Sequence, residues 1–156
     1  MKALHAVLVA IVAAVTLTSV AAAGPDAAKQ RVVITMKNLP DGQFVLEPIQ
    51  AGALARDTGT TSVAITRLSN VMRDGQLVER YRLTFTLKGK RGILTTQERN
   101  DWLNTGGPYV GVGTWKVVRG TGQYAKIVGG GRSAAAGLDQ GNGKWYAAEE
   151  GFLTPS

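Results

Sequence analysis

The chain has 156 residues, a formal charge of +7 and no cysteine. That length suits one domain with a real core, and the missing thiols exclude disulfide support and thiolate chemistry. The only histidine is His5, so little is left from which a zinc or copper site is usually built.

In chain order, residues 1–23 have the form of an export signal. Lys2 supplies the positive start, residues 7–15 are almost wholly apolar, and Ala21, Ala22 and Ala23 precede Gly24 and Pro25. The apolar run is too short for a membrane span and is followed by small residues, as at a cleavage site. Cleavage near Ala23 takes His5 away and leaves one domain, 24–156. That domain is expected to be secreted or periplasmic, without a transmembrane segment.

Residues 31–36 are rich in β-branched side chains, with Val32, Ile34 and Met36 on one face of a strand. Asn38 to Gly42 form a turn. Residues 43–46 read as a short strand stopped by Pro48, and 49–61 as a loop with a helical turn. Residues 62–72 resume a strand, and Asp74 with Gly75 is a hairpin signal. The clearest strand follows: Leu77, Glu79, Tyr81, Leu83, Phe85 and Leu87 share an apolar face, alternating with Val78, Arg80, Arg82, Thr84 and Thr86. Residues 88–92 turn the chain and 93–98 return. Residues 102–108 read as a connection, 109–119 and 129–138 as strands, 141–143 as the last hairpin and 144–153 as the closing strand. Seven or eight short strands without a long amphipathic helix predict a closed barrel or a sandwich.

Fifteen of the 20 glycines lie after Lys88. Such density weakens strands unless close backbone passage requires it. The run GTGQYAKIVGGG at 120–131 spells strand exit, one helical turn and re-entry. Tyr124 and Ile127 then share a face that plugs the sheet. The run also matches a dinucleotide fingerprint, but the glycines at 129–131 stop any helix long enough to hold a pyrophosphate.

The order GALARDTG at 52–59, ERYRLTFTL at 79–87, ILTTQ at 93–97, the 120–131 run and EGFL at 150–153 resembles the barrel of plant allene oxide cyclases and dirigent proteins, and of secreted bacterial proteins like them. The resemblance covers 52–153. It implies an eight-stranded antiparallel barrel, often trimeric in the plant members. It also implies an apolar lumen in which the cyclases work without cofactor. None of their catalytic residues maps onto this chain, and the first strand carries no carboxylate.

The residues themselves name the candidate site. Tyr81, Leu83 and Phe85 offer an apolar lining, and Glu79 sits on the same face. Glu149 and Glu150 are adjacent, so one of them points inward; alternation alone does not say which, and Glu149 is carried as the candidate site residue. A carboxylate inside a barrel mouth is either a functional group or half of an ion pair with an arginine. The expected role is binding of a small apolar ligand in or at the mouth of the barrel, without metal or cofactor. The alternatives are a cofactor-independent isomerase or cyclase and a basic envelope-associated structural protein. Lysines and arginines number 18, but only Lys88, Lys90 and Arg91 cluster tightly. No stripe of alternating basic and aromatic residues appears, so no nucleic-acid partner is expected.

Overall fold

The structure is a computed structural model that describes residues 28–104, 109–137 and 144–155. Eight strands run β1 (Gln30–Leu39), β2 (Gly42–Pro48), β3 (Asp57–Arg73), β4 (Gln76–Gly89), β5 (Gly92–Asn104), β6 (Tyr109–Gly120), β7 (Ile127–Gly137) and β8 (Trp145–Pro155). Each pairs antiparallel with the next, and β8 pairs with β1, so the sheet closes into a barrel-like ring. A sandwich is thereby excluded. Inward positions alternate with outward ones along every strand. The interior is filled by Val32, Ile34 and Met36 of β1, Phe44 and Leu46 of β2, Leu83, Phe85 and Leu87 of β4, and Leu153 of β8, among others.

One end of the ring is plugged. A single 3-10 turn, Gly122–Tyr124, turns Tyr124 inward, where it is buried. Its Oη donates to Asp57 Oδ2 at 2.9 Å. Asp57 is itself buried and also accepts the backbone N–H groups of Lys90 at 3.1 Å and Arg91 at 3.2 Å. Beside it, the loop before β3 is tied down by Gln30. The Gln30 amide donates to the carbonyls of Gln50 (2.9 Å) and Leu54 (3.0 Å) and accepts from Leu54 N–H at 2.8 Å. Leu54 completes the plug.

The other end is open, and strand length explains why. β2 has seven residues and β3 seventeen. Pairing between them ends at Gly42 and Thr61, so the rest of β3 is hydrogen-bonded only to β4. The wall is therefore low at β1–β2, and the ring opens through a notch there. Charged side chains such as Arg67 and Arg73 keep the long free edge of β3 from pairing elsewhere.

Three expectations need correction. The loop expected over 49–61 ends at Arg56, because Gly59, Thr60 and Thr61 pair on both sides and Asp57 finds its partners at the plug. Trp102 belongs to β5, not to a connection. Asn100 and Asp101 look like turn residues, but their side chains are occupied by Glu98, Ser133 and Arg80 and do not compete for their own backbone. The dry face expected from Leu77 onward starts only near Tyr81: Leu77 is 45% exposed and Val78 is 2% exposed. At the level of Leu77 the opposite wall has already ended, so nothing covers it, while Val78 packs outside against the neighbouring strands. The Asp74–Gly75 hairpin forms as expected, with φ of 50° and 75°. The expected leader at 1–23, the 105–108 part of the expected connection and the expected hairpin at 141–143 lie outside the described residues.

Candidate functional site

The open end holds a cup of about 550 Å³. Leu83 of β4, Trp102 of β5 and Trp145 of β8 form its base, with Ile65, Tyr81 and Pro40 around them and Glu79, Tyr109 and Lys144 at the rim. The two indoles meet edge to face, with ring centroids 5.8 Å apart. Trp145 also packs on Phe85, 5.9 Å away, and Trp102 on Tyr81, 6.4 Å away. The seating of Trp102 depends on Gly111 opposite it on β6: a Cβ there would run into the indole ring.

The polar groups of the rim are organised. Arg67 forms an ion pair with Glu79 and donates to Asn70 Oδ1 at 3.0 Å. Tyr81 Oη donates to the other Glu79 oxygen at 3.0 Å. Burial, followed by that hydrogen bond to a carboxylate, holds the Tyr81 hydroxyl above its ordinary pKa. Of the two readings open for Glu79, the structure shows the ion pair with an arginine.

A second polar cluster lies deeper in the ring. Glu98 of β5 and Glu149 of β8 project from opposite walls and are fully buried. Leu83 and Trp115 stand opposite Glu98, and Ile34 and Ser133 opposite Glu149. Thr96 Oγ1 donates to Glu149 Oε1 at 2.7 Å, and Asn100 Nδ2 to Glu98 Oε2 at 2.7 Å. Ser133 Oγ donates to Asn100 Oδ1 at 2.9 Å. The remaining oxygen of each glutamate has no donor among the described side chains. The two carboxyls are close enough to hydrogen-bond each other, so one proton between them satisfies both. Burial raises both pKa values, and the charge of Glu98 raises Glu149 further.

The sequence-derived candidates therefore divide. Glu79, Tyr81 and Leu83 line the cup, Phe85 lies beneath Trp145, and Glu149 belongs to the deeper pair. Glu150 points outward into an ion pair with Arg31. Sequence reasoning missed Glu98, Trp102 and Trp145 as site residues. Period-two alternation carried forward from Glu98 through Asn100 to Trp102 places Glu98 and Trp102 on one face, and alternation carried back from Glu149 through Ala147 reaches Trp145. A larger trough of about 800 Å³ lies on the outside of the ring among Thr35, Ala134, Ala136 and Ala148, but it carries no comparable set of converging polar groups. Among the described residues no cluster of metal-ligating side chains occurs. Comparison with known proteins finds no matching family model, no matching curated protein and no matching solved structure.

Proposed function

We propose that this protein binds a small ligand with an apolar body in the mouth of the ring. The observation that carries the reading is the aromatic cup over Trp102 and Trp145, whose volume lies in the range of small-molecule sites. The ligand's body lies on the indoles and Leu83, and its polar group meets Tyr81, Glu79 or Lys144 at the rim. The low β1–β2 wall is the entry. The order of strands and the short turn over 122–124 support a barrel of the allene oxide cyclase kind. The leader-like residues 1–23 support export, and the same resemblance supports a homo-oligomer.

Titration with 1-aminoanthracene and with decanoic acid, read by tryptophan emission, tests the binding. Saturable quenching is expected in the native protein and its loss in Ile65→Trp, which fills the cup from an exposed wall. Saturable quenching that persists in both Ile65→Trp and Tyr81→Ala removes the cup as the site.

The Glu98–Glu149 pair favours a second reading, a cofactor-independent isomerase, because a buried carboxyl that keeps its proton is suited to acid catalysis. Neither carboxyl lines the cup, so binding ranks first. Native mass spectrometry of protein from its own source separates the two. An isomerase releases a rearranged ligand that Glu149→Gln retains unchanged.

A further inference from the structure

We propose that the outer face of β4–β7 binds an acidic polysaccharide through a row of arginines on neighbouring strands. Register sets the row: Arg82 of β4 stands opposite Arg99 of β5, Arg99 opposite Thr114 of β6, and Thr114 opposite Arg132 of β7. Strands lie about 4.8 Å apart, so the three guanidinium-bearing positions follow one line around the ring. Like charges directly opposite each other destabilise a sheet pair, as Arg82 and Arg99 do here; at the far end of the row Arg132 stands opposite Glu150 of β8, whose carboxylate is engaged by Arg31. Arg82, Arg99 and Arg132 have no ion-pair or hydrogen-bond partner among the described residues. The Nε of Arg82 is buried without an acceptor. One residue level away the contrast is plain: Arg80 stands opposite Asp101 and donates to it at 3.1 Å.

Guanidinium groups bind carboxylate and sulfate in a planar, two-bond geometry. Three of them along one path, with Thr114 between the second and the third, suit a chain with repeated anionic groups. Arg99 and Arg132 also border a cavity of about 540 Å³; its lining includes the carboxylates of Asp74 and Asp101, the second held by Arg73 and Arg80, and Val78, Leu103 and Val112, apolar ground for the faces of sugar rings. The row follows the circumference of a convex surface. A planar bilayer meets such a surface along a narrow strip, whereas a flexible chain wraps it. The described outward residues of β4–β7 include no aromatic side chain on which a base could stack.

Isothermal titration with polygalacturonate tests the proposal, with neutral dextran, a single-stranded oligonucleotide and phosphatidylglycerol vesicles as comparisons. The row variant Arg82→Gln, Arg99→Gln, Arg132→Gln is set against Lys37→Gln, Arg56→Gln, Lys90→Gln, which removes the same charge elsewhere. Expected are a tenfold or greater loss of polygalacturonate affinity in the first, less than twofold in the second, and weakening with salt in the native protein. Should the row variant melt early, Arg99→Gln alone carries the test, with about a threefold loss expected from one of three contacts. Equal loss in both triple variants, no binding of polygalacturonate, or tighter binding of the oligonucleotide or vesicles overturns it.

Discussion

Glu98 and Glu149 meet inside the ring from opposite walls, fully buried, with no lysine, arginine or histidine among the residues that contact their oxygens. Four residues along the same two strands stand Trp102 and Trp145, which form the base of the cup. The arrangement stacks an aromatic binding surface over a proton-holding pair. An apolar interior accepts two carboxyls only if they stay protonated or share a proton. The pair therefore ties the stability of the ring to pH.

The sign follows from the direction of the shifts. Both folded pKa values lie above the ordinary glutamate value, so the folded state binds more protons than the unfolded chain. The stability the pair contributes is complete below the unfolded pKa, about 4.3, and is lost as pH rises through the folded values. Glu149→Gln should reduce this dependence to the part that burial imposes on Glu98 alone. Its amide N–H replaces the shared proton toward Glu98, and its carbonyl still accepts from Thr96. A hydrogen bond to a charged carboxylate is worth about 1.5–3 kcal/mol, so the variant should gain on the native protein at alkaline pH. Thermal melts between acid and alkaline pH check this; parallel curves for the two proteins rule out the shared proton.

At the plugged end, Tyr124→Phe removes one donor from the buried Asp57 carboxylate while leaving the ring in place. The cost should be about 1.5–3 kcal/mol, the range for a hydrogen bond to a charged group. Urea unfolding measures it. A change below about 0.5 kcal/mol, the lower end for ordinary hydrogen bonds, means water replaces the hydroxyl and Asp57 is held by the backbone donors of Thr58, Lys90 and Arg91.

The eight extended segments were legible because alternation survives wherever one face is dry, as from Tyr81 to Leu87. Tyr124 was legible as a plug residue because its spacing from Ile127 and the flanking glycines admit one short turn. The failures have a common origin. Asn100 and Asp101 favour turns, and it takes partners distant in sequence, Ser133 and Arg80, to complete the hydrogen bonding of their side chains within a strand. The pairing of Glu98 with Glu149 is also nonlocal, since the residues are joined by closure of the sheet. Leu77 was misassigned for the opposite reason: its local pattern is sound, but the short β2 leaves no wall for it to face.

Gly111→Ala tests how the cup is built. Its Cβ collides with the Trp102 indole, so the ring must tilt away from β6. Overpacking of this kind costs roughly 1–3 kcal/mol. The tilt should break the edge-to-face contact with Trp145 and weaken ligand binding more than it weakens the fold. Near-ultraviolet circular dichroism reports the indole pair, and 1-aminoanthracene titration reports the cup. Unchanged signals in both place Trp102 away from Gly111.

Gln30→Ala tests the loop that completes the plug. The native amide makes three hydrogen bonds to Gln50 and Leu54, each worth about 0.5–1.5 kcal/mol net. Two of those groups belong to Leu54, whose backbone is held on both its N–H and its carbonyl by one side chain. Alanine therefore frees residues 49–56 as a unit while β2 and β3 stay paired on either side. The loss should appear as local opening rather than global melting. Hydrogen exchange at Leu54 should accelerate by about tenfold or more, the factor that corresponds to 1.4 kcal/mol, and amides in the middle of β1 and β8 should keep their protection. Exchange that rises uniformly across the ring would mean that Gln30 supports the whole sheet and not this loop alone.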